Sequence, residues 1–168
     1  MTNKSNVFSA ATSAALSAGQ VDAIDLLKKD HKHVKSLFEQ FESEKEGDRD
    51  GLEDLVAEIC LELTIHSQVE EEIFYPAVRE EFGDELVDEA TVEHASAKEL
   101  IDQLGEMSPD DELFDAKVKV LSEQIDHHVE EEEGKMFPQV KKSKIDTEAL
   151  GTEMAARKTA LMEESEVG

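Results

Sequence analysis

A lone cysteine, Cys60, leaves this chain without an internal disulfide framework and excludes the small cystine-stapled scaffolds. Cys60 adjoins Ile59 on an apolar stripe and reads as a buried structural thiol rather than a nucleophile. Tryptophan is absent, and 168 residues hold only three prolines and eight glycines. With abundant Glu, Leu, Ala and Lys, that scarcity of breakers points to an all-helical protein. No stretch reaches the roughly 18 apolar residues of a membrane span, so no transmembrane helix is expected. Basic residues are few: 17 Lys and Arg against 42 Asp and Glu give a formal charge of −25. Such a surface repels phosphate backbones and anionic lipid, so neither nucleic acid nor membrane is expected as a partner. It attracts cations, although much of the excess acid is ordinary solvated helix surface. Met1 to Gln20 is Ser/Ala-rich and lacks the apolar centre of a secretory signal; it reads as a tail or weak helix. Together with the single thiol, this fits a cytoplasmic location.

Four long apolar stripes follow, with spacings of three and four. They are Ile24, Leu27, His31, Val34, Phe38, Phe41; then Leu52, Leu55, Ile59, Leu63, His66, Glu70, Ile73, Ala77; then Val87, Ala90, His94, Ala97, Ile101, Leu104; and Phe114, Val118, Leu121, Ile125, His128, Glu132, Met136. Each is the seam of a bundled helix. Breaks fall at Glu46-Gly47-Asp48, Phe82-Gly83-Asp84 and Ser108-Pro109-Asp110. Loops this short make successive helices antiparallel neighbours. The expected fold is all-α, an up-down-up-down antiparallel four-helix bundle over residues 21–143. A tail precedes it over 1–20. A short C-terminal amphipathic helix and tail follow over 144–168, with Thr147 as its cap and Leu150, Met154 and Leu161 on one side.

One histidine interrupts each stripe. The seams choose His128 over His127 and His31 over His33, and they turn Glu70 and Glu132 inward while Glu71, Glu72 and Glu133 rotate out. An internal repeat supports the choice. Asp30-His31 matches Glu93-His94. His66-x-x-x-Glu70-Glu71-x-x-x-x-Pro76 matches His128-x-x-x-Glu132-Glu133-x-x-x-x-Pro138. Two helix pairs with equivalent polar insertions imply a site near a pseudo-two-fold axis.

A lone histidine on an apolar face is ordinarily a hydrogen-bonded core residue. Six polar groups at matching depth are different. A buried polar group left unpaired costs roughly 1–3 kcal/mol and a carboxylate more, so six naive costs exceed the roughly 5–15 kcal/mol that holds a domain together. One or two cations shared by His31, His66, Glu70, His94, His128 and Glu132 would satisfy them all. Imidazole and carboxylate without thiolate suit iron, manganese or zinc. Two carboxylates suit a bridged pair of ions, with Glu70 and Glu132 bridging, His31 and His66 on one ion and His94 and His128 on the other. Glu62 and Lys98 lie one turn from His66 and His94 and are further donors, or edge residues with packed stems. Tyr75 is a candidate ligand or redox partner, but its repeat mate Phe137 argues for packing.

At these residues the chain resembles the hemerythrin-like, or HHE cation-binding, family. The matching segments are Asp30-His31, His66 to Glu71, Glu93-His94, and His128 to Glu133 with Phe137-Pro138; Leu150 to Lys158 is similar to the ending of many bacterial members. The resemblance implies a four-helix bundle holding a non-haem di-iron centre with an oxo or hydroxo bridge. Oxygen-carrying hemerythrins have two histidines four apart on the third helix; here Ala90 and Lys98 flank His94 at that spacing. The centre is therefore expected to be more symmetric, with positions open to small molecules. The expected function is binding or sensing of a ligand such as O2 or NO. The alternatives are an enzyme consuming peroxide, O2 or NO, and an iron-storage or structural metal bundle.

Overall fold

The computed structural model describes residues 20–168; the expected tail over 1–20 lies outside them, Gln20 excepted. All regular structure among the described residues is helical. Helix α1 spans Ala23–Glu44 and α2 spans Leu52–Val69. A π turn, Glu70–Phe74, joins α2 to α3, Tyr75–Phe82. Helix α4 spans Glu85–Gly105 and α5 spans Phe114–Glu131. A second π turn, Glu132–Met136, leads to α6, Phe137–Lys142, and α7 spans Thr147–Val167. Since α2–α3 and α5–α6 run on through their π turns, the described residues make four bundle rods and a fifth helix.

The π turns have a sequence cause. Pro76 and Pro138 carry no N–H, so the α-helical bonds to the carbonyls of Glu72 and Gly134 cannot form. The helix instead closes one residue longer, with Tyr75 N–H donating to Glu70 O and Phe137 N–H to Glu132 O. That extra residue rotates everything after it. The apolar stripe was expected to continue through Ile73 and Ala77; the structure buries Phe74, Tyr75 and Val78 instead.

Two apolar cores result. One is built from Ile24, Leu27, Phe74, Val87, Phe137 and Met154 among others, and the second from Phe38, Phe41, Leu52, Ile59, Phe114 and Leu121 among others. The polar insertions lie between them. At the far end Arg49 ties loops together, its guanidinium gripping both oxygens of Asp115 at 2.8 and 3.1 Å and the Pro109 carbonyl at 2.7 Å. Cys60 is half-buried, and burial pushes its thiol up to about 11, which keeps it protonated and inert.

The fifth helix is 21 residues long, a full partner of α1 and α2 rather than a short appendage. Asp146, not Thr147, caps it, accepting from Ala149 N–H at 3.0 Å. Thr147 instead donates its hydroxyl to Asp22 at 2.6 Å, and Asp22 itself caps α1 through Ile24 and Asp25 N–H. Gly151 makes this crossing possible: a Cβ there would stand 1.8 Å from the Val21 carbonyl oxygen. No helix among the described residues is long and apolar enough to cross a membrane.

Candidate metal centre

The four stripes carry His31, His66, His94 and His128 to one level of the bundle, and the two π turns begin at Glu70 and Glu132. All six side chains are buried. His33 and His127 point to solvent. Two overlapping groups form, His31 with His66, Glu70 and Glu132, and Glu70 with His94 and His128, each offering atoms within 4.8 Å of one another.

Both carboxylates span the two groups. Glu70 Oε1 lies 3.0 Å from His66 Nε2, and its Oε2 lies 3.1 Å from His94 Nε2. Glu132 Oε1 lies 3.0 Å from His128 Nε2 and 3.4 Å from His31 Nε2. Spacings of this size are what neighbouring ligands present around an ion with bonds of roughly 2.0–2.2 Å.

The outer ring nitrogens show what the inner ones must be. His66 Nδ1 donates to Asp30 at 3.1 Å, His94 Nδ1 to Glu71 at 2.9 Å, and His128 Nδ1 to Glu93. His31 Nδ1 faces Glu133 at 3.6 Å, beyond hydrogen-bond reach. A carboxylate accepts only, so each bonded Nδ1 keeps its proton, and once the ring is neutral Nε2 is left as a lone pair aimed inward. His94 Nε2 and His128 Nε2 thus confront each other at 3.1 Å. Among the described residues, the buried side-chain nitrogens and oxygens without a hydrogen-bond partner are His31 Nδ1 and Nε2, His66 Nε2, Glu70 Oε1 and Glu132 Oε1. All belong to the six converging residues. A donor set of orphaned lone pairs and carboxylate oxygens fits a cation.

Protons compete for the same atoms. Burial opposes the charged ring of His66, but the Glu70 charge and the bond to Asp30 outweigh it and raise the group to about 10. Burial likewise opposes a charged His128, yet Glu132 and Glu70 lift it to about 11, and His94 moves up through Glu70. Burial would raise Glu70; His66, His128 and His94 overcome that and hold it well below the usual carboxylate range.

Tyr75, named as a candidate ligand or redox partner but expected to pack, does more than pack: its ring is part of the buried core, and its hydroxyl lies 3.0 Å from Glu70 and 3.2 Å from Glu132, between the two carboxylates. Burial and those two charges push the phenol well above its ordinary value, so it stays protonated. Asp30 and Glu93 orient the histidine of the neighbouring helix, a role the repeat displayed without explaining. Glu71 turns outward along its helix yet returns its carboxylate to His94. The basic residue that reaches the site is Lys158 of α7, which donates to Asp30. Lys98 is 74% exposed and faces Asp102 at 3.7 Å.

Comparison with known proteins agrees with this geometry. The family model of the hemerythrin HHE cation binding domain matches residues 22–140, and the chain belongs to that family. It is similar to the crystal structure of a hemerythrin HHE cation binding domain-containing protein from Mycobacterium kansasii, with a TM-score of 0.70 and 27% identity, over 84% of this chain and 87% of that one. A curated relative, a DNA nickase from Nostoc sp., is 29% identical over 162 residues, covering 93% of this chain and 46% of the relative. The chain therefore spans about half the length of that relative.

Proposed function

We propose that this hemerythrin HHE domain holds two iron ions and binds or senses a small ligand such as O2 or NO at them. His31 and His66 would hold one ion and His94 and His128 the other, with Glu70 and Glu132 shared and an oxygen bridge completing the pair. One observation carries the reading: among the described residues, the partnerless buried side-chain nitrogens and oxygens are ones that converge on these two positions. When bound, the iron pair supplies reversible electron transfer and sites for an exogenous ligand. The chain's residues supply the rest. Asp30, Glu71 and Glu93 fix the ring tautomers, and the two apolar cores flank the polar layer on either side.

Elemental analysis of protein purified without a histidine tag or added metal tests this reading. Two irons per chain and an oxo-bridged ferric absorption are the expected result; one zinc per chain would favour a structural bundle instead.

A second reading, an enzyme consuming peroxide, O2 or NO, is favoured by Tyr75. Its protonated phenol stands between the two shared carboxylates and can hold or hand over a proton there. Peroxide added to the iron-loaded chain separates the two: many turnovers that fall at least tenfold in Tyr75→Phe at unchanged iron content favour the enzyme, and a single colour change favours binding. The nickase activity of the Nostoc relative belongs to a protein more than twice as long. With a charge of −25 on this chain, supercoiled plasmid is expected to stay intact with the iron-loaded domain; nicking that survives a radical scavenger would reverse that expectation.

A further inference from the structure

A cavity of about 480 Å³ lies against the histidine side of the polar layer. His31, His66, His94 and His128 form its floor, while Glu70, Glu132 and Tyr75 are not among its lining residues. A diatomic gas is about the size of a water molecule, whose share of liquid volume is roughly 30 Å³. The cavity is many times that, and within the roughly 300–1,000 Å³ range of pockets that enclose organic ligands. Most of its lining surface comes from apolar groups, among them Val34, Leu63, Ala97, Ile101, Ile125 and Val129, with Thr64, Ser67, Gln68, Thr91 and Gln124 adding uncharged polar groups at intervals.

The charged groups on the wall are already committed. Asp30 is held by His66 and Lys158, Glu71 by His94, and Glu93 by His128. Lys98 and Asp102 face each other at the mouth. On the floor, the rings of His66 and His128 are each matched by two carboxylates, Asp30 with Glu70 and Glu93 with Glu132, so an ionic ligand would find no unmatched counter-charge in the metal-free chain, and the acidic surroundings would repel an anion.

We propose that this cavity is a binding site for a neutral, largely apolar organic molecule, held against the histidine side of the centre. That this molecule neighbours bound metal rests on the function proposed above; that the cavity takes it does not. The site extends the ligand class of the domain beyond diatomic gases. Its specificity comes from shape and apolar contact on α1, α2, α4 and α5 rather than from ion pairing.

The test uses two fluorescent probes sharing one ring system, uncharged N-phenyl-1-naphthylamine and anionic 8-anilinonaphthalene-1-sulfonate, titrated into the full chain with and without ferrous iron. The uncharged probe is expected to saturate at one per chain in the metal-free protein and to bind at least tenfold more tightly than the sulfonate. Ala97→Phe fills the cavity and is expected to weaken it at least tenfold with the thermal midpoint retained. If that variant does not fold, Ile101→Trp, at a half-buried position of the same wall, carries the same expectation. Equal binding of both probes, or unchanged binding to a folded filled variant, would overturn the proposal. Iron uptake is measured on the same samples. A chain that takes the probe but no iron sinks the function proposed above and leaves the cavity standing; one that takes iron but no probe does the reverse.

Discussion

In the first helix pair, α1 with α2 and α3, Asp30 is buried and gripped from two sides, by His66 and by Lys158 of α7. In the second pair, α4 with α5 and α6, the equivalent Glu93 is 21% exposed and shares its carboxylate between buried His128 and exposed His127. Tyr75 of the first pair puts a hydroxyl into the polar layer where Phe137 of the second puts a ring stacked on His31. The halves share the groups that would hold the proposed metal pair: two histidines, one inward glutamate, outer acids and a proline-driven π turn each. Part of what they do not share follows from α7, which packs chiefly on α1, α2 and the first π turn and so braces mainly one half. The lesson is that a symmetric donor set sits in an asymmetric frame.

The largest expected effect tests the shared part. Glu70→Ala removes one oxygen from each half and should empty both metal positions, weakening affinity by more than the roughly 10–100-fold associated with losing an outer partner; metal content by elemental analysis is the check. If one ion stayed, the halves would be independent. Acidity is the next lever. Metal must displace protons from His66 and His128, which sit near 10 and 11 in the metal-free chain. Affinity should therefore keep rising with pH above the ordinary histidine value of 6.5, by about tenfold per pH unit for each proton displaced. Metal-free stability should run the opposite way. The raised histidines contribute fully below 6.5 and lose their contribution as pH climbs toward 10–11, while the depressed Glu70 loses its own only as pH falls below 4.5. Thermal melts of the metal-free chain at pH 6 and pH 9 check the sign, with the lower midpoint expected at pH 9.

Outer acids then sharpen the difference between halves. Asp30→Asn and Glu93→Gln should each weaken metal binding by roughly 10–100-fold, Asp30 the more because it is buried and braced. Equal losses, measured by competition with a chelator, would mean that α7 adds nothing to its half. Gly151→Ala pushes α7 off the start of α1 and should cost about 1–3 kcal/mol, a fall of several degrees at the roughly 2–4 °C per kcal/mol of a chain this size. At the small end, His33→Ala and His127→Ala remove exposed rings and should stay within about 0.5 kcal/mol of the parent, with metal content unchanged.

The bundle and the six converging residues were legible in the sequence because their signals are periodic: stripes of spacing three and four landed on His31, His66, His94 and His128, and the repeat selected Glu70 and Glu132. Periodicity failed where the backbone left it. The π turns moved burial from Ile73 and Ala77 to Phe74, Tyr75 and Val78. Tyr75 was weighed toward packing by its repeat mate, and its ring does pack, but its hydroxyl also enters the polar layer. Pro76 and Pro138 were visible six residues after each glutamate and could have flagged the shift. The length of α7 was hidden by its thin buried face of Gly151, Met154 and Leu161 on an otherwise polar helix. Lys158 was out of reach of any local argument, being 128 residues from the Asp30 it contacts.

Anaerobic titration of the metal-free chain with ferrous iron at pH 8, counting protons released as iron is taken up, addresses the core of this account most directly. Uptake saturating at two ions per chain, with protons leaving the histidines and the melting temperature climbing, is the predicted result. Absence of both uptake and proton release, in a chain that melts as before, would mean that the converging lone pairs are satisfied by protons alone.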